Sequence, residues 1–114
     1  VALDDIFVDP LVQPVATNTM YGREFLSAID QIMASYPGIH TICGLSNVSF
    51  GLPNRKLLNR TFISMAIARG LTSAIINPLD QQMMAAVRSA EALAGNDRFC
   101  KNYIKTHRDG LLEA

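Results

Sequence analysis

Three apolar runs in this sequence are each followed by polar side chains that can hydrogen-bond a small molecule. Asp9 and Asn77 come directly after two of these runs. The third run, at 39–43, leads into a polar loop at 44–53 that begins with glycine and carries Asn47. Because α/β proteins assemble ligand sites at the C-terminal ends of their strands, these residues predict a single site. A carboxylate and two carboxamides are suited to recognising a polar heterocycle.

The elements that would position these side chains alternate between strand and helix. Apolar residues at helical spacing predict helices at about 22–35, 54–68, 81–94 and 97–107. Leu58 and Met65 are expected on the buried stripe of the second helix. Asp80 is expected to cap the third helix, and the last helix is expected to bury Phe99 and Tyr103.

The spacing of the strands predicts parallel pairing in a βαβαβα arrangement, an α/β fold. The expected strand starts near Ile6, Thr41 and Ala74 are separated by 35 and 33 residues. Each unit of an eight-stranded (β/α)8 TIM barrel takes about 31 residues, which is close to this spacing. Three parallel strands cannot close a barrel and leave two unpaired edges. We therefore expect the C-terminal part of a longer protein, also because the chain starts at Val1 almost inside a strand.

An isolated piece of barrel is expected to expose side chains that a complete barrel would bury. We expect Ile6, Val8, Ile42 and Ile75 to be such barrel-facing residues. The chain is therefore expected to self-associate as a homo-oligomer or to pair with the remaining N-terminal barrel units.

Composition and charge restrict the class of protein. The chain has 114 residues, and 49% of them are apolar, which suffices for one domain with a core. Ten lysines and arginines balance ten aspartates and glutamates, so neither nucleic acid nor a membrane surface is expected as a partner. No apolar run is long enough to span a bilayer and no signal peptide is evident, so a cytoplasmic location is expected.

The cysteines and histidines do not form a recognisable metal-binding pattern. Cys43 and Cys100 are expected to be buried and reduced rather than joined in a disulfide. His40 and His107 are isolated from each other and from the cysteines. No bound metal is therefore expected in this chain.

Four strings of residues resemble the C-terminal part of the pterin-binding methyltransferases. They lie at 9–12, 41–49, 54–62 and 70–78, and the string Gly-Leu-Ser-Asn-Val-Ser at 44–49 is the most specific. Within this family the resemblance is greatest to methyltetrahydrofolate:corrinoid/iron-sulfur protein methyltransferases. The pterin-binding module of cobalamin-dependent methionine synthase is a near relative.

The resemblance implies a fold and a reaction. Residues 1–114 would be the C-terminal part of a pterin-binding (β/α)8 barrel and would supply its last three strands. Such a barrel binds methyltetrahydrofolate at its C-terminal mouth and passes the N5 methyl group to the cobalt of a corrinoid, or cobalamin, carried by a partner protein. A relative that serves a demethylation pathway would run the transfer toward folate.

The resemblance also assigns roles to individual residues in the loop at 44–53 and near it. Asp9 would hydrogen-bond the pterin ring, and Asn47 would be the catalytic residue near N5, where it helps to stabilise the developing charge. Gly44 and Ser46 would lie where the loop approaches the ligand closely. Arg55 would lie near the outer part of the ligand.

Each of these residues also has a structural interpretation. Asp9 could begin an Asp-Pro turn, Ser46 and Asn47 could cap the loop, and Arg55 could lie on a solvated face. The chain as a whole could be a non-catalytic half-barrel or assembly module. In that case backbone N–H groups at 44–49 could bind a phosphate or a pterin.

Overall fold

Two short strands and four α-helices make up the regular structure of residues 1–112, the part of the chain that this computed structural model describes. The strands are β1 at Phe7–Val8 and β2 at His40–Thr41. The helices are α1 at Tyr21–Ser35, α2 at Arg55–Arg69, α3 at Gln81–Leu93 and α4 at Lys101–Arg108. Short 3-10 turns lie at Leu3–Asp5, Leu45–Ser49 and Arg98–Cys100. The chain is therefore an α/β fold, as expected.

The strands are parallel, as predicted, but they are shorter than the apolar runs that predicted them. Phe7 pairs with His40 in the β1–β2 register. The last apolar run along the chain, at 73–76, forms only a single parallel bridge between Gly44 and Ile75. Backbone hydrogen bonds from Ser73 N to the Thr41 carbonyl, 2.9 Å, and from Ile75 N to the Cys43 carbonyl, 2.8 Å, attach this third segment to β2. The prediction of a third full strand is wrong in its extent, although the segment lies where predicted.

One face of this small sheet is covered by helices and the other is open. Thr41 and Cys43 are fully buried on the covered face. On the other face, the Phe7 ring stacks on His40 with 4.6 Å between ring centroids, and Ile75 is 69% exposed. Because side chains alternate along a strand, the register places Val8 on the covered face with Thr41.

The expectation about the barrel-facing side chains is therefore only half right. Ile75 lies on the open face as expected, but β1 contributes Phe7 to that face in place of Ile6 and Val8. The strand register decides which residues share a face. The run at 6–8 is apolar throughout, so it offers no alternation of apolar and polar residues from which the face could be predicted.

Helices α1 and α2 pack against the covered face and form the core. Phe25 and Phe62 contact each other across the two helices with ring centroids 5.5 Å apart, and Ile29 and Ala66 are fully buried. Glycine ends α2 because Gly70 adopts a φ of 111°, a left-handed conformation in which its N–H reaches the Ala66 and Ile67 carbonyls. The helix bounds agree with the predicted ones within one residue at either end of α1 and α2.

Two predicted buried positions on α2 are wrong. Met65 is 49% exposed and Leu58 is 36% exposed. Both residues line a surface groove between α1 and α2 instead of the core. Isoleucines complete the buried face of α2 in their place, at positions 63 and 67.

The last two helices confirm one prediction and contradict others. The Asp80 carboxylate caps α3 by accepting a hydrogen bond from Met83 N at 3.1 Å, as predicted. Helix α4 starts at Lys101 rather than near residue 97. Phe99 is 83% exposed and Tyr103 37% exposed, so the prediction that they are buried is wrong. Phe99 lies in a left-handed turn, φ 58°, which directs the chain away from the core before α4 begins.

Both cysteines are free thiols, but only one is buried. Cys43 lies in the core, whereas Cys100 is exposed in the turn before α4. The prediction of two buried thiols is therefore wrong for Cys100. None of the helices in residues 1–112 has the length and apolar character required to cross a lipid bilayer.

Candidate functional site

The polar residues singled out in the sequence lie on loops that follow the C-terminal ends of the parallel strand segments. The 3-10 turn at Leu45–Ser49 follows the end of β2. It is attached to the segment after β1 by two hydrogen bonds, one from Val15 N to the Val48 carbonyl, 3.1 Å, and one from the Asn47 side chain to the Val12 carbonyl, 2.6 Å. The loops after neighbouring parallel strands therefore form one continuous surface.

Asp9 combines a turn with an exposed carboxylate. Its Oδ1 accepts a hydrogen bond from Leu11 N at 2.8 Å, so the Asp-Pro turn of the structural interpretation is present. Leu11 has a φ of 70°, a left-handed conformation that is uncommon outside glycine. The turn fixes one carboxylate oxygen of Asp9 and leaves the side chain at the surface.

The buried Cys43 thiol shows how close Asp9 lies to the end of β2. Burial, and secondly the Asp9 carboxylate, raise the pKa of Cys43 to about 12. Both effects disfavour the thiolate, because it would be desolvated and would lie beside a negative charge. Cys43 is therefore a neutral core residue near neutral pH and has no part in nucleophilic chemistry.

Asn47 has one half of its carboxamide engaged. Its Nδ2 donates to the Val12 carbonyl, which is the loop-capping role of the structural interpretation. Among residues 1–112, its Oδ1 has no hydrogen-bond partner. The amide plane is thus held by one end, and its carbonyl oxygen remains available to accept a hydrogen bond.

Gly44 adjoins open space at the same edge. A Cβ placed on it would meet no atom of residues 1–112 within 4 Å, and its φ of −83° is accessible to any residue. Neither the backbone nor the packing of the described part of the chain requires glycine here. A group that approaches the Gly44 backbone from outside this chain would require it.

Arg55 is exposed, as the solvated-face interpretation expects, and it also supports the loop. Its Nη2 donates to the Ser46 carbonyl at 2.8 Å and its Nε to the Ser49 hydroxyl at 3.0 Å. The guanidinium carbon also lies 5.8 Å from the centre of the Phe50 ring. Arg55 is therefore used to hold both ends of the 3-10 turn.

Ser49 and Asn59 are the members of this network that the sequence did not reveal. Ser49 is fully buried, and its hydroxyl lies 2.7 Å from Asn59 Oδ1 and 3.1 Å from the Ser46 carbonyl. A serine in a polar loop gives no sign of burial. The signal for Asn59 is its spacing, because it lies four residues after Arg55 and so shares a face of α2 with it.

A cavity of about 460 Å³ adjoins the loop between the starts of α2 and α3. Ser46 lies at its border, and Lys56, Asn59 and Asn77 also contribute to its wall. Asn77 Oδ1 accepts a hydrogen bond from Leu79 N at 3.0 Å, so this residue forms a turn as well as lining the cavity. The volume is within the range of about 300 to 1,000 Å³ that is common for small-molecule sites.

The structure thus places Asp9 and the loop with Gly44, Ser46 and Asn47 after the ends of neighbouring parallel strands, and Arg55 supports that loop. Within residues 1–112, His, Cys, Asp and Glu side chains form no group of three that could hold a metal ion. The site can therefore offer a carboxylate, a carboxamide oxygen and open space beside a glycine backbone. Such groups bind and orient a polar heterocycle by hydrogen bonding.

Comparison with known proteins identifies relatives over most of this chain. No family model matches it. It is 42% identical over 107 residues to a methylcorrinoid:tetrahydrofolate methyltransferase of Eubacterium limosum, an alignment that covers 94% of this chain and 40% of that protein. Over 78 residues, or 63% of this chain, it is 36% identical to the methionine synthase of Mycobacterium tuberculosis and 37% identical to that of Mycobacterium leprae. The chain spans 6% of each methionine synthase.

Proposed function

This chain belongs to the pterin-binding methyltransferase family, and from that premise we propose that it forms the C-terminal part of a (β/α)8 barrel. The barrel would transfer a methyl group between N5 of tetrahydrofolate and the cobalt of a corrinoid on a partner protein. Two features support the barrel: the parallel order of its strand segments and the open face of its sheet. The chain also spans only 40% of its relative from Eubacterium limosum.

The observation that carries the proposal is that the loops carrying Asp9 and Asn47 follow neighbouring parallel strands at the same edge of the sheet. The two residues lie 38 positions apart in the sequence, and the bond from Asn47 to the Val12 carbonyl joins their loops. In a barrel this edge is the mouth, where substrates bind. The site is incomplete in this chain, because the earlier strands would supply its other side.

Asp9 would hold the pterin. A carboxylate accepts hydrogen bonds from the ring N–H and the exocyclic amino group of a pterin edge. The turn that fixes Asp9 Oδ1 through Leu11 N orients this carboxylate before the substrate arrives. Gly44 would allow the ring to lie close to the backbone, because no atom of the described residues occupies the space beside it.

The name of the relative from Eubacterium limosum gives a direction, with methylcorrinoid as donor and tetrahydrofolate as acceptor. In that direction the N5 lone pair attacks the methyl carbon. The cobalt–carbon bond breaks, and its electron pair stays on cobalt as Co(I). N5 gains positive charge and afterwards loses its proton to solvent. The reverse reaction passes through the same transition state.

Asn47 would stabilise the charge that develops at N5. Its Nδ2 is held by the Val12 carbonyl at 2.6 Å, so its carbonyl oxygen is the group that is left to accept from N5–H. An amide oxygen does this without titrating, and its fixed orientation requires no reorganisation during the reaction. The interaction is stronger in the transition state than in the ground state, which is the condition for catalysis.

The catalytic role is tested by Asn47→Ala in the full-length protein. Loss of one preorganised polar group should lower the single-turnover methyl-transfer rate by roughly 10²-fold. The affinity for tetrahydrofolate should change less. The methyl-Co(III) to Co(I) conversion is followed by absorbance, with Asn96→Ala as the control because Asn96 lies exposed beyond the end of α3. An unchanged rate at saturating folate would make Asn47 a structural residue only.

The binding role is tested by Asp9→Ala in the same protein. Removal of a hydrogen-bonding carboxylate should weaken tetrahydrofolate binding by about 1.5 to 3 kcal/mol. Titration calorimetry measures this change directly. Equal affinity in the variant and the wild type would reject Asp9 as a pterin contact.

A non-catalytic binding module is the second candidate. The observation that favours it is the structural use of Asn47 and Arg55, which both hold the loop in shape. A full-length protein that binds tetrahydrofolate but transfers no methyl group to or from a corrinoid would support this candidate. The sequence encoded upstream of Val1 bears on the same question, because a complete barrel requires five more βα units.

A further inference from the structure

We infer that the cavity between the starts of α2 and α3 is a subsite for the anionic tail of the folate, with Lys56 as the residue that recognises a glutamyl carboxylate. This inference rests on the proposed function and adds a subsite to it. A folate consists of a pterin, a p-aminobenzoyl ring and one or more glutamates. A protein that holds the pterin at Asp9 and Asn47 must place the other two groups nearby.

The cavity adjoins the proposed pterin site directly. Ser46 lies at its border, and the next residue along the 3-10 turn is Asn47. The volume of about 460 Å³ is that of a small-molecule site rather than of a water pocket. A chain of atoms that leaves the pterin on this side therefore enters the cavity without crossing another element.

The walls of the cavity suit an aromatic ring followed by a charged group. Leu45, Ile75, Ile76 and Met83 provide apolar surface. A p-aminobenzoyl ring that covered this surface would bury apolar area. Asn59 and Asn77 add the neutral carboxamide groups of their side chains to the same wall.

Lys56 is the cationic member of the wall, and its position is not explained by the stability of α2. It lies in the first turn of the helix, where the helix dipole disfavours a cation. The neighbouring Arg55 is used in the loop, but Lys56 forms no ion pair within residues 1–112. Its ammonium group and the positive end of the α2 dipole attract an anion together.

Asp80 is the opposing charge in the cavity. Its Oδ1 is engaged by Met83 N at the start of α3, so it is fixed as a helix cap. A tail carboxylate that binds at Lys56 is repelled by Asp80 across the cavity. Removal of the Lys56 charge should therefore weaken binding of the tail carboxylate, whereas removal of the Asp80 charge should strengthen it.

The test compares two ligands and three variants of the full-length protein. Tetrahydrofolate carries the glutamate, and tetrahydropteroate is the same molecule without it. Lys56→Ala should weaken tetrahydrofolate binding by roughly three- to tenfold, because the contact is solvent-exposed, and should leave tetrahydropteroate binding unchanged. Asp80→Asn retains a cap and should tighten binding of tetrahydrofolate alone. Lys101→Ala, on α4 and outside the wall of the cavity, should alter neither affinity.

The effect of Lys56→Ala on tetrahydrofolate should also shrink as salt is added, because the contact is electrostatic. Equal losses for both ligands, or no loss for either, would overturn the subsite while leaving the proposed function in place. Failure of the wild-type protein to bind either ligand would overturn the proposed function and the subsite with it. Titration calorimetry of each protein with each ligand distinguishes these results.

Discussion

A polar loop keeps one shape only if its carbonyls and side chains find partners, and the turn at Leu45–Ser49 finds them through Arg55, Ser49 and Asn59. The Ser49 hydroxyl is fully buried and lies within hydrogen-bonding distance of three groups. Two of these groups come from α2, so the loop that carries Asn47 is fixed to a helix of the core. At the scale of the residue, the shape of the loop that carries Asn47 depends on the side chains of Arg55, Ser49 and Asn59.

Ser49→Ala should therefore lower the free energy of unfolding by about 1 to 3 kcal/mol, because Asn59 Oδ1 and Arg55 Nε lose a buried partner. Ser46→Ala is the matched control, since Ser46 contributes its backbone carbonyl to the network and not its hydroxyl. That change should stay within about 0.5 kcal/mol. Urea denaturation of both variants measures the difference, and equal stabilities would show that Ser49 is not the centre of the loop.

At the scale of the element, α4 depends on a cap more than on burial. None of its residues is buried, so packing contributes little to its stability. Asp97, by contrast, is buried and accepts hydrogen bonds from Asn102 N at 3.0 Å and Tyr103 N at 2.9 Å. Two left-handed residues, Phe99 and Cys100, separate this carboxylate from the helix that it caps.

Asp97→Ala should cost about 1 to 2 kcal/mol of stability, because it leaves two backbone N–H groups at the start of α4 without a partner. Hydrogen exchange at the amides of α4 should accelerate at the same time. Asp109→Ala is the control at the other end of the helix, where the carboxylate forms a surface ion pair with Lys105 at 3.1 Å. Such pairs contribute at most about 1 kcal/mol. Unchanged exchange in Asp97→Ala would show that α4 is held by other contacts.

At the scale of the whole molecule, the sheet within residues 1–112 has two unpaired edges and one uncovered face. Phe7 is 53% exposed and Ile75 is 69% exposed on that face. Exposed apolar surface of this kind is usual where another chain or segment binds. In the proposed barrel it would face the interior and contact the strands that this chain does not contain.

The isolated chain should consequently self-associate, and Ile75→Lys should reduce the association measured by sedimentation. A charge on the open face must be desolvated when a second sheet covers it. Leu93→Lys is the matched control, because Leu93 is 90% exposed but lies at the end of α3, away from the sheet. A monodisperse monomer of the unmodified chain would contradict this prediction. So would an equal reduction of association by Ile75→Lys and Leu93→Lys.

The sequence by itself determined the order of the helices, and it placed the polar loop at 44–49 after a strand. The helical spacing of apolar residues located α1 and α2 within one residue at each end. Asp80 was recognisable as a cap because its side chain bonds to a backbone group only three residues away. Local patterns suffice for such features, since their causes lie within a few positions along the chain.

The tertiary structure alone decided which face each strand presents and which polar side chains support the loop. The register that places Phe7 beside His40 depends on pairing across 33 residues, and no local pattern encodes it. Ser49 is buried because α2 brings Asn59 and Arg55 around it. Phe99 is exposed in the left-handed turn before α4, although its apolar character predicted burial. Burial and register arise from contacts between distant segments, and only the folded chain makes those contacts.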